Sequence, residues 1–248
     1  MIHLAEEFLQ QPPVIWGLVS LVALGGICVI PSFLLVYIGD VSIEIVIAGA
    51  TIFALSVLLK RALGIAIQIP LLTVQTVVVK SAISGLLSAS TELGAAGVYL
   101  WMRDYKTLME VVAFGIGAGS AEALYVLCLS LFMRADPKDE KAWAQAATNS
   151  LWVRYTVPLE RFLASIGHIG SRGLVWLGLM STSLLNTLWF WGLALVLFTA
   201  VDGVAAYGLR QKWNWSDPTT CRFSHLYFGM LSFSEMAIFL LAFSVLHR

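Results

Sequence analysis

The chain has 248 residues, of which 59% are hydrophobic and 12% charged, with a mean hydropathy of +0.84 and a formal net charge of zero. So little ionic surface excludes an ordinary soluble domain and places the chain in a bilayer. With 15 Lys+Arg against 15 Asp+Glu there is no basic excess to neutralise phosphates, which excludes nucleic-acid binding as a main activity. The three cysteines, Cys28, Cys128 and Cys221, are an odd number and form neither a disulfide framework nor a ligand-spaced metal cluster.

In chain order, residues 1–13 lack the basic opening of a secretory signal and read as a short interfacial helix, with Glu6 and Glu7 solvated. Apolar runs long enough to cross about 30 Å of hydrocarbon follow at 14–37, 41–59, 62–79, 81–102 and 108–133. Lys60-Arg61, Lys80, Arg103-Asp104 and Arg134 mark the ends of the last four. The most polar stretch, residues 134–158, predicts a surface loop with an amphipathic helix and with Trp143 and Trp152 at headgroup level. Three more spans are expected at 160–182, 185–209 and 223–246, the last two joined by the Trp-rich turn RQKWNWSDPTTCR.

The fold expected is thus an all-α polytopic bundle of about eight transmembrane helices, in a single integral membrane domain. With eight spans, the positive-inside rule leans toward both termini outside the cytoplasm, because the loops on the other side collect Lys80, Arg134, Lys138, Lys141, Arg154, Arg161, Arg210, Lys212 and Arg222.

Ionisable residues inside spans are costly and usually face a bundle interior. Glu92, Glu122, His168, Arg172, Asp202 and Glu235 fall in this class, with Glu160 and Arg161 at a helix entrance. Arg161 and His168, seven apart, share one helical face. Glu235 follows His225 by ten residues, which allows both to face one side. FGIGAGSAE, from Phe114 to Glu122, permits close helix approach around Glu122. The tryptophans Trp189, Trp191, Trp213 and Trp215 fit interfacial belts. There is no Ser/His/Asp arrangement and no phosphate-binding glycine loop.

STELGAAGVYLW (Ser90 to Trp101), FGIGAGSAEAL (Phe114 to Leu124), ERFLASIGHIGSRGLVW (Glu160 to Trp176) and LFTAVDGVAAY (Leu197 to Tyr207) together resemble the YhfC-like branch of glutamic intramembrane proteases. That branch is related to the CAAX-processing and PrsW proteases and to the anterior-pharynx-defective scaffold subunit of γ-secretase. The resemblance covers Ser81 to Arg210 and implies water activation by a carboxylate helped by histidine. It implies site residues Glu92, Glu122, Glu160, Arg161, His168 and Asp202, with no cofactor and no metal. The third element is intact at Glu160, Arg161 and His168. The others depart from the family pattern: Thr91 stands where a leading glutamate is expected, Ala95 at an arginine position, and Ala118 and Phe198 at two histidine positions.

Methyl and phenyl groups shuttle no protons, so the expectation is a catalytically impaired relative. It would act as a scaffold or accessory subunit beside lipids and other membrane-protein subunits, in a prokaryotic cytoplasmic membrane. Two alternatives stay open: an active peptidase with a rearranged site, and a protein that binds or transports a lipid or small solute.

Overall fold

The computed structural model describes residues 12–71, 76–132 and 136–246. The expected interfacial segment at 1–13 lies outside these residues except for Pro12 and Pro13, which open the first helix. Among the described residues the chain is helical throughout, without a strand. The helices are α1 (Pro12–Ile38), α2 (Ile43–Leu71), α3 (Val77–Arg103), α4 (Leu108–Phe132), α5 (Pro137–Asn149), α6 (Leu151–Arg154), α7 (Thr156–Met180), α8 (Leu184–Arg210) and α9 (Pro218–Leu246).

Five of them, α1, α2, α4, α8 and α9, are long and apolar enough to cross a membrane. Helices α3 and α7 are of similar length, at 27 and 25 residues, but carry polar groups turned inward.

Among the described residues there are seven long helices where eight spans were expected, and that difference has one source. Lys60 and Arg61 do not end a helix; they lie inside α2, which runs on to Leu71. No separate span therefore forms at 62–79: residues 62–71 complete α2, 77–79 begin α3, and 72–75 lie outside the described residues. A lysine in an apolar helix is tolerated when its amine finds an acid across the interface, and Lys60 finds Glu92.

The long helices run antiparallel in sequence order, as contacts at the two ends of the bundle show. At one end Trp16 of α1 donates to Thr148 of α5, Arg210 of α8 reaches Ser84 of α3, and Thr156 of α7 meets Cys221 of α9. At the other, Trp176 of α7 donates to the Tyr105 carbonyl between α3 and α4, and Thr187 of α8 donates to the Gly178 carbonyl of α7. Residues 12 and 246 consequently lie at opposite ends.

Helix α7 is the axis. From Gly167 to Gly178 every residue is buried, so this segment is enclosed by neighbours on all sides. Helices α2 and α4 cross in backbone contact: a Cβ at Gly49 would strike the Phe114 carbonyl, and one at Gly117 would strike the Val46 carbonyl. The apolar core gathers Leu93, Leu100, Phe114, Leu174, Trp176 and Phe239 around α7.

The polar stretch forms a surface helix, as its composition predicts. Asp136 caps α5 by accepting from the Lys138 N–H at 2.8 Å, and Pro137 occupies the first turn, where its missing N–H costs nothing. Ala144 and Ala147 form the buried face of α5. Arg154 then ties α5 to α1: its Nε donates to the Ala147 carbonyl, and its guanidinium lies 3.7 Å from the Trp16 ring centre.

Candidate functional site

The cluster starts from spacing on α7. Arg161, His168 and Arg172 succeed one another by seven and four residues, which aligns them along one face. Small residues let α4 lie against that face: a Cβ at Gly115 would stand 2.6 Å from the Ile169 Cα, and one at Gly119 would stand 2.8 Å from the Ser165 Cα. This approach carries Glu122 to the α7 side chains.

Glu122 is clamped at both carboxylate oxygens. Arg161 Nη1 lies 2.7 Å from Oε1, and His168 Nε2 lies 2.9 Å from Oε2. A carboxylate paired with a guanidinium only accepts, so Nε2 carries the proton of this contact. Nδ1 is buried without a partner. Arg161 also holds Glu160, Nη2 to Oε1 at 2.8 Å. The His168 ring stands between Phe53, at 5.6 Å in an edge contact, and Phe198, at 5.9 Å.

A second charge group lies alongside. Glu92 receives Arg172 Nη2 at 3.3 Å on one oxygen and Lys60 Nζ at 3.2 Å on the other. Lys60 also donates to Ser88 at 2.6 Å. The Glu92 and Arg172 side chains are only 4% and 2% exposed, so each depends on the other for compensation. Phe198 lies beside this pair too, with its ring centre 5.6 Å from the Arg172 Cζ.

Both groups border one cavity of about 280 Å³ within the bundle. Glu92, Glu122, Glu160, Arg161, His168 and Asp202 all line it. The structure thus brings together the six residues singled out from the sequence, as two ion-paired groups with Asp202 beside them. Glu122 and Glu160 are 26% and 27% exposed, so this side of the cluster is the more open one.

Two further members carried weaker sequence signals. Lys60 read as the end of a span, and its partner Glu92, 32 residues on, is adjacent only in three dimensions. Glu235 is buried on α9 against Gly167 and Gly170, and its Oε1 has no partner. His225 shares the α7-facing side of α9 with Glu235 but lies outside the cavity lining, bonded at Nε2 to the Thr156 carbonyl at 3.2 Å.

The arrangement presents a carboxylate–histidine pair, fixed by arginine, on the wall of a largely apolar cavity. Among the described residues no three His, Cys, Asp or Glu side chains are grouped to hold a metal ion. Compared with known proteins, the chain matches no protein family, no curated protein and no solved structure.

Proposed function

We propose that this chain is an integral membrane scaffold, built like a glutamic intramembrane protease but catalytically impaired, whose charge cluster holds its own helices in register for partner subunits. The observation that carries this reading is the engagement of Glu122. Both its oxygens accept from α7 side chains, Arg161 and His168, so the carboxylate fastens α4 to α7 as a structural clamp. Phe198, at a position where the resemblance expects a histidine, packs beside His168 and Arg172 and offers no proton or oxyanion donor. Loss of one proton-transfer partner costs about 10² to 10⁴ in rate, and loss of an oxyanion donor about 10² to 10³.

In this reading all seven long helices cross the membrane. The end of the bundle that gathers Lys138, Lys141, Arg154, Arg210, Lys212 and Arg222 faces the cytoplasm of a prokaryote. The opposite loops hold Arg103 and Lys106, so merging two expected spans into α2 sharpens the charge asymmetry and turns the N-terminal end inward.

A second reading, an active peptidase with a rearranged site, is favoured by the exposure of Glu122 beside His168 on the cavity wall. One experiment separates the two. Wild type, Glu122→Gln and His168→Ala are reconstituted in liposomes with candidate membrane substrates and are also purified in mild detergent. The scaffold reading expects no cleavage by any of the three, and copurifying membrane subunits that the substitutions weaken. Cleavage by wild type that either substitution abolishes would overturn it.

A further inference from the structure

The charged cavity has a neighbour on the outside of the bundle. Between α2 and α4 lies an apolar groove of about 260 Å³, lined by Phe53, Ala54, Val57, Leu58, Ala121 and, at one end, the Arg61–Tyr125 pair. Phe53, Val57, Arg61 and Tyr125 also line the charged cavity, so the two spaces meet along this wall. Both flanking helices are apolar enough to cross a membrane, and Leu58, 62% exposed, faces outward from the groove.

Depth and charge identify what fills it. Arg61 lies eighteen residues along α2 from Ile43, about 27 Å at 1.5 Å per residue, near the far edge of a hydrocarbon core about 30 Å thick. In the apolar stretch Ile43–Ile65 it stands four residues from the end, where a long basic side chain can reach up to the phosphate level. Its guanidinium donates to the Tyr125 hydroxyl and lies 5.8 Å from that ring's centre, which orients it at the end of the groove. The neighbouring cations Lys60 and Arg161 are taken by Glu92 and by Glu122 with Glu160, whereas Arg61 makes no ion pair with a carboxylate among the described residues. A cation at headgroup depth without a carboxylate, closing an apolar groove that opens to hydrocarbon, matches an anionic lipid lying along a helix pair.

We infer that the α2–α4 groove is a binding site for one anionic phospholipid of the surrounding bilayer, with an acyl chain along Ala54, Leu58 and Ala121 and its phosphate on Arg61. Tyr125 acts as the positioning residue for the guanidinium. The lipid lies beside the charged cavity and seals its α2–α4 wall. This site goes beyond the scaffold proposal and stands whether or not Glu122 is catalytic.

Native mass spectrometry of protein extracted from nanodiscs containing equal phosphatidylglycerol and phosphatidylcholine tests the assignment. Wild type is expected to retain one phosphatidylglycerol in preference to phosphatidylcholine by about fivefold, the worth of one basic residue near an anionic headgroup. Arg61→Gln should bring the two lipids to parity, and Tyr125→Phe should reduce the preference partly. Ala121→Trp, which fills the groove, should abolish retention of either lipid; Ala54→Trp fills it from the other wall and replaces that variant if it does not fold. Equal retention of both lipids by wild type would overturn the assignment, as would a preference that survives Arg61→Gln, or retention undiminished with the groove filled.

Discussion

At the scale of single residues, charge burial is the dominant energetic fact. Arg172 and Glu92 are both buried and each answers the other's charge. Removing one partner of such a pair leaves an uncompensated charge and costs about 3–5 kcal/mol, whereas removing both is far milder. Arg172→Met is therefore expected to lower the thermal midpoint in detergent sharply, and Arg172→Met with Glu92→Gln to recover much of the loss. A double variant no better than the single would show that the pair is not the source. A gentler effect is expected at Asp217, in the turn before α9. The Thr220 N–H and hydroxyl, then the Thr219 N–H, bond its carboxylate and hold it below the usual carboxylate range. A depressed carboxylate contributes stability above its unfolded value, about 3.9, and loses it as pH falls through the folded value. Asp217→Asn should therefore narrow the stability difference between neutral pH and pH 3, read as the shift in thermal midpoint. The candidate site was legible at this scale because a charge in an apolar run is conspicuous: Glu92, Glu122, His168 and Asp202 each interrupt hydrophobic sequence. Which acid meets which base was not legible, since Arg161 with Glu122 and Arg172 with Glu92 are pairings across helices.

At the scale of elements, the glycines divide by what surrounds them. Gly117 lies where α4 meets the α2 backbone, and an added methyl has no space against the Val46 carbonyl. Gly94 on α3 has nothing within 4 Å of the corresponding point. Gly117→Ala is expected to destabilise by about 1–3 kcal/mol through forced separation of α2 and α4. Gly94→Ala should stabilise by about 0.5–1 kcal/mol by removing backbone freedom from a helix interior. Equal effects at the two positions, in thermal unfolding of the purified protein, would contradict the α2–α4 crossing. The helices themselves followed from apolar run length, and most of their boundaries lie close to the charges that flank them. The exception, Lys60-Arg61 within α2, has a physical reason. A basic pair reads as the end of a helix when only the chain is considered, yet Lys60 turns inward to Glu92, Arg61 reaches Tyr125 and the helix runs on.

At the scale of the whole molecule, that single boundary governs the topology. With seven antiparallel long helices, the α5 surface and the α8–α9 turn belong to one side, and the α3–α4 turn to the other. Single cysteines placed at Asp139 and at Ser42, in the α1–α2 turn on the same side as the α3–α4 turn, on a background with Cys28, Cys128 and Cys221 replaced, should label from opposite faces of sealed vesicles. The residue-139 site should react from the cytoplasmic face. Labelling of both from the same face would restore an even number of crossings. Composition alone made the membrane class legible, because it needs only the scarcity of charge. The handedness of the loops was not, because each depends on every crossing before it.

The clamp on α1 imposes an order on synthesis. Trp16 bonds Thr148 across 132 residues of chain, and Ser32 on the same helix meets Ser120 across 88. At about 5–20 residues per second, the ribosome delivers that second partner on the order of ten seconds after the first. Throughout that interval α1 lies in the lipid without its lasting neighbours. Helix α1 is fastened only after α4 and α5 have been made, and a stall in translation before Arg154 would leave it open to capture by another membrane chain.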